Sequence, residues 1–255
     1  RLKLDPSGLA VERLTVAGLA GAAVELSGRV QAPWAAPRGS LTLDLSGNRL
    51  DGVTALLHQF VPTLAEPLRA MAPQLAPAKL RASIGFEPLA STGPAATTAR
   101  LRVDGTAGPF RLAFSAESTG EAADWRQAAT HAEARIEVAE GAALARLLAL
   151  DGVVVFSPGP ATLRWTASGP AGGELTVQAR LAAVGADVIA SGVLRLAGES
   201  GPNGSADVSV TVLDAPALRP LTGRRNEPAP TALKAALTLS HERLIADQLV
   251  GTIGD

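Results

Sequence analysis

Leu41-Thr42-Leu43-Asp44-Leu45 sets three leucines at alternate positions with polar residues between them. Period 2 puts the leucines on one face of an extended strand and Thr42 and Asp44 on the other. From Val53 the period changes. Val53, Leu56, Leu57, Phe60, Leu64, Leu68 and Met71 recur at intervals of three and four, the stripe of an amphipathic helix. Pro62 and Pro67 are expected to interrupt or kink that stripe, which predicts two short helices within Asp51–Leu75. After Pro77 the alternation resumes in Leu80, Ala82, Ile84 and Phe86.

Working outward, the alternation dominates the chain. It recurs in Leu101/Val103, Phe110/Leu112/Phe114, Ala134/Ile136/Val138, Leu163/Trp165, Leu175/Val177/Ala179/Leu181, Val208/Val210/Val212 and Leu237/Leu239. Thr, Asp, Arg, Ser and Gln fill the intervening positions. Turn formers separate the runs: Pro-Ser-Gly at 6–8, Ser-Gly-Asn at 46–48, Asp-Gly at 104–105, Gly-Pro at 169–170 and Gly-Pro-Asn-Gly at 201–204. Alternating runs joined by such turns predict antiparallel β-structure. Two further helical pieces are expected at Ala142–Leu150 and Ala215–Leu221.

The three helical pieces occupy equivalent places. Each follows an alternating strand and precedes a proline that opens a new one: Pro77-Ala-Lys-Leu-Arg, Pro160-Ala-Thr-Leu-Arg and Pro230-Thr-Ala-Leu-Lys. Pro is tolerated at a strand's first residue, where no ladder bond is lost. The ends fit the same unit, because Leu9 and Leu14 before Gly18 mirror Leu244 and Leu249 before Gly251. The expected organisation is one repeat-containing β region over 1–255. It comprises a tail at 1–38, a unit at 39–132 with its helical insert at 51–75, a unit at 133–205, and a truncated unit at 206–255. The start at Arg1 without a Met reads as a piece of something longer.

Composition narrows the function. The chain has 255 residues with a formal charge of −1, so it lacks the basic excess that a phosphate backbone attracts; no nucleic-acid partner is expected. Cysteine is absent, which excludes disulfides, thiolate zinc sites and a Cys nucleophile. There is no Tyr, with only 3 Trp and 5 Phe. That argues against a site built on stacked aromatics. Trp34 reads as a loop residue and Trp165 as a core residue on a strand face. The longest uncharged stretch, Gly52 to Ala65, falls short of the roughly 20 apolar residues a spanning helix needs.

No catalytic constellation emerges, and no enzyme is expected. His58, His131 and His241 are far apart, and His241-Glu242 has no second His at zincin spacing. There is no Gly-x-Ser-x-Gly elbow and no phosphate-binding glycine loop. Asp44 with Asp51, or Glu133 with Glu137, offers two carboxylates, but Arg135 shares the strand face of the glutamates and marks it as solvated. No metal and no cofactor is expected. The helical stripe at 53–71 has Arg69 as its only cation, so it reads as packing on the sheet rather than lying on a membrane.

Two stretches resemble AsmA-like proteins of Gram-negative bacteria: residues 39–53, GSLTLDLSGNRLDGV, and residues 237–255, LTLSHERLIADQLVGTIGD. The resemblance implies a periplasmic segment of a large envelope protein, anchored in the inner membrane by a region outside this chain. It further implies a role in phospholipid transport or outer-membrane assembly. The expected fold is mainly β: an elongated, twisted antiparallel sheet of repeated units forming a groove or half-pipe, with short helices at the repeat junctions. A one-sided apolar sheet must be covered by helices, a second sheet or a ligand, and an aliphatic lining suits acyl chains. Phospholipid acyl chains are therefore the expected ligand, with Leu112, Phe114, Val177 and Leu181 as groove candidates. The alternative is a closed structural scaffold used for protein–protein contacts in the envelope.

Overall fold

A computed structural model of the chain describes residues 2–5, 8–32, 36–60, 62–89, 96–148, 157–195, 203–212, 232–240 and 243–252. The chain forms two compact units, Arg1–Ala128 and Ala129–Asp255. The division falls four residues before the junction expected at 132/133, and the boundary expected at 205/206 falls inside a strand.

The protein is mainly β. In the first unit β1 (Leu2–Asp5), β2 (Gly8–Leu19), β3 (Ala22–Gln31), β4 (Arg38–Gly47), β5 (Ala78–Pro88), β6 (Ala96–Ala107) and β7 (Phe110–Glu121) pair antiparallel in chain order. In the second, β8 (Ala129–Val138), β9 (Ala161–Pro170), β10 (Glu174–Ala183), β11 (Ala186–Arg195), β12 (Asn203–Val212), β13 (Ala232–Ser240) and β14 (Arg243–Thr252) do the same. Each unit is an open sheet, with no pairing between its first and last strands among the described residues.

The helices interrupt this meander where the period changes. Between β4 and β5 lie α1 (Asp51–Phe60) and α2 (Pro62–Leu75). Asp51 in the first turn of α1 faces the positive end of the helix dipole, and Thr54 Oγ1 donates to the Asp51 carbonyl at 3.0 Å. Pro62 opens α2, where a missing N–H costs no intrahelical bond. Pro67, expected to interrupt or kink the stripe, lies within α2 and does not end it. Between β8 and β9 lies α3 (Gly141–Leu147), whose first N–H donates to the Gly159 carbonyl at 2.8 Å and whose Leu144 is fully buried. The helix expected at Ala215–Leu221 lies outside the described residues, as do Trp34, Pro230 and His241.

The proline-led restarts precede β5, β9 and β13, so they stand four strands apart in each case. Their leucines hold the same register against the preceding strand: Leu80 opposite Leu45, Leu163 opposite Ile136, Leu233 opposite Val210. Helical connections at β4–β5 and β8–β9 are thus four strands apart, and the connection between β12 and β13 lies outside the described residues.

Candidate functional site

Register sorts every strand residue onto one of two faces. One cross-strand row in the first unit reads Leu26, Leu43, Ala82, Val103, Phe114. The equivalent row in the second reads Ala134, Trp165, Ala179, Ala190, Val208. Across β3–β7 and β8–β12 no ionisable residue occupies this face among the described residues, and its only hydroxyls are Thr97, Ser118 and Thr130.

The opposite face carries the charge. Arg81 Nε and Nη2 donate to the two carboxylate oxygens of Asp44 at 2.7 and 3.2 Å. Arg13 grips Glu25 in the same way at 2.6 and 3.1 Å. Arg100 joins Glu87 and Glu117 at 2.7 and 2.8 Å, and Arg180 holds Asp187 at 3.0 and 2.6 Å. These bidentate bonds hold the Asp44 carboxyl below its ordinary range and raise the Arg81 guanidinium.

The carboxylate pairs considered from sequence are therefore occupied. Asp44 is bound to Arg81, Asp51 accepts from Arg49 at 3.0 Å, and Glu137 pairs with Arg135. His131 Nε2 lies 3.1 Å from Glu133 Oε1 on the exposed face of β8, and His58 is exposed on α1. Among the described residues no three His, Cys, Asp or Glu side chains converge on a metal position, and no helix is long and apolar enough to cross a membrane.

The apolar face is covered unevenly. At the end where β4 leaves for the helices, Val53 of α1 and Ala72 and Leu75 of α2 pack with Leu50 over Leu45, Ala78, Ala107 and Leu112. In the second unit the end served by α3 holds buried Val138, Ala161, Leu181 and Ala186. Between the strand ends the face is half-exposed: Leu43, Ala82, Val103 and Phe114 in one unit, Leu163, Trp165, Val177 and Ala190 in the other. Trp165, expected in a core, stands half-buried between Ala134 and Ala179.

The four groove candidates fall into two classes. Phe114 and Val177 lie on the half-exposed stretch. Leu112 packs against the cluster beneath the helices, and Leu181 is buried at 3% exposure. The structure brings them onto the apolar faces of two different units, Leu112 and Phe114 in the first, Val177 and Leu181 in the second. Val177 lines a cleft of about 210 Å³ together with Ala190, Gly192, Gly204, Ala206 and Leu237. The small residues that hollow this cleft were not singled out from sequence. Their signal is Gly and Ala at inward alternate positions, Ala190-x-Gly192 and Gly204-x-Ala206.

Comparison with protein-family models, with curated proteins and with solved structures returns no match for this chain.

Proposed function

We propose that this chain is a non-enzymatic lipid-binding or lipid-conducting segment, in which the aliphatic faces of its sheets take phospholipid acyl chains. One observation carries the reading: an uncharged, largely aliphatic strand face is left half-buried along its middle while, among the described residues, the ion pairs between strands lie on the opposite face. A contiguous apolar face left partly open to solvent is a candidate binding surface. Acyl chains need apolar area and no directional polar partner, and this lining offers that. The helical cluster over Leu45 and Leu112 blocks one end of the first unit's face, so bound chains lie across the strands beyond it. The AsmA-like resemblance of residues 39–53 and 237–255 supplies the setting: the periplasmic part of an inner-membrane-anchored envelope protein serving phospholipid transport or outer-membrane assembly.

The test is lipid recovered with the purified chain by mass spectrometry, combined with single Asp substitutions. Phe114→Asp and Val177→Asp are expected to lower lipid yield severalfold while the unfolding midpoint stays near the parent's, because water reaches both positions. Leu181→Asp is expected to lose folding, since a carboxylate sealed at that site costs several kcal/mol. A parent chain that carries no lipid, with Phe114→Asp and Val177→Asp as damaging to folding as Leu181→Asp, would overturn the reading in favour of the closed scaffold.

A further inference from the structure

The charged face is not uniform along the chain. In the first unit long ion-paired side chains cover it, as Arg13–Glu25, Asp44–Arg81 and Glu87–Arg100–Glu117 show. On β11–β14 it changes character. Ile189, Ile245 and Val250 stand on it at 51%, 46% and 62% exposure. Register sets Ile189, Ser209, Lys234 and Val250 side by side in one row across the four strands. They border an open depression of about 470 Å³ that also includes Asp207. Short and branched side chains of this kind let a second sheet approach to the roughly 10 Å of face-to-face packing. The ion pairs Arg180–Asp187 and Arg195–Glu174 lie along one border of the patch, as a polar rim does around an interface core.

We propose that the β11–β14 outer face is a contact surface for a second copy of this chain, packed sheet on sheet about a two-fold axis with Lys234 of each copy against Asp207 of the other. Charge and area both point to a copy. Lys234 and Asp207 are exposed diagonal neighbours on adjacent strands, and neither has an ion-pair partner among the described residues. One cation beside one anion is self-complementary under two-fold rotation, so a copy supplies both partners by symmetry. Four strands spaced about 4.8 Å and ten residues rising about 3.3 Å each cover roughly 630 Å². Two such faces bury about 1,300 Å², inside the range of specific interfaces. This contact is independent of what the opposite, apolar face holds.

Sedimentation velocity of the 255-residue chain across a concentration series tests the proposal. The expected result is a monomer–dimer equilibrium, weakened on the order of tenfold or more by Lys234→Asp or by Asp207→Lys alone, since each opposes like charges. Mixing the two variants restores the dimer, because each then meets its opposite. Ile189→Ser, which leaves the charges in place, weakens it as well. A chain that stays monomeric at every concentration would overturn the proposal and leave the face to a partner of another kind. So would a dimer indifferent to these substitutions, or single-variant losses that mixing does not repair.

Discussion

Thr97 sits near the start of β6 on the apolar face, with Pro88 and Gly120 as its register neighbours, and its buried hydroxyl has no hydrogen-bond partner. Thr98, one residue on, places its hydroxyl 3.2 Å from that of Thr119. An unpaired buried hydroxyl keeps its desolvation cost and gains nothing in return. Thr97→Val preserves the branched shape that a strand favours and removes the orphan group. It is expected to raise unfolding stability by about 1 kcal/mol in urea titration, and a loss of stability would show that the hydroxyl is satisfied. The Thr-Thr pair is visible in sequence, but which hydroxyl finds a partner depends on a strand more than twenty residues away. The groove candidates teach the same thing. Alternation correctly set Leu112, Phe114, Val177 and Leu181 on apolar faces; it could not tell sealed Leu181 from half-exposed Val177, because depth is decided by the helices and neighbouring strands that cover each end.

At the scale of the element, strands were legible where one face is apolar and the other polar without interruption, as in Leu41–Leu45 or Leu175–Leu181. β11 was missed because Ile189 and Val193 put apolar residues on the outer face and blur the period. β2 was missed for a different reason: its register shifts between Val11 and Leu14 and again between Val16 and Leu19. A bulge adds one residue and so returns positions five apart to one face. Leu9 and Leu14 thus both pair with inward positions, Val30 and Leu26. The irregularity in β14 does the same for Leu244 and Leu249, opposite Leu239 and Ala235. The leucine pairs spaced by five, read from sequence as matching repeat tails, are the signature of bulged strands. Glycine shapes the elements too. Gly105 on β6 has φ of +149°, and a Cβ there would lie 2.1 Å from the Lys79 carbonyl oxygen of β5. Gly85, on the outer face of β5, has no atom within 4 Å of a built Cβ. Gly105→Ala is therefore expected to cost about 2 kcal/mol or more through backbone strain and collision. Gly85→Ala should leave stability unchanged or slightly raised. Equal losses in the two variants would remove steric contact as the reason for Gly105.

Across the whole molecule, charge is segregated by face. The near-neutral formal charge of −1 conceals ion pairs set side by side on the outer surfaces of both units. The pairs are exposed, so each is individually weak and open to screening by salt. Their combined effect is to fix register from the solvent side while the aliphatic face contributes area without direction. Acid separates these two contributions. Asp44 titrates below its ordinary value because Arg81 donates two hydrogen bonds to it. A carboxyl whose folded pKa is depressed adds stability that is present above its unfolded value, about 3.9, and is lost as pH falls through the lower folded value. Stability is thus expected to be flat in this group's contribution from pH 8 to about 5 and to decline below about pH 4. Asp44→Asn removes the titrating group and the ionic part of the Arg81 bond together. It should be less stable than the parent at pH 7, approach the parent at pH 3, and show the smaller acid decline. High salt should narrow the difference at pH 7. Urea unfolding of both chains at the two pH values reads this directly. Parallel pH profiles for parent and variant would mean that the Asp44–Arg81 pair is formed equally well in the unfolded chain, and that the outer face takes its register from the ladder hydrogen bonds alone.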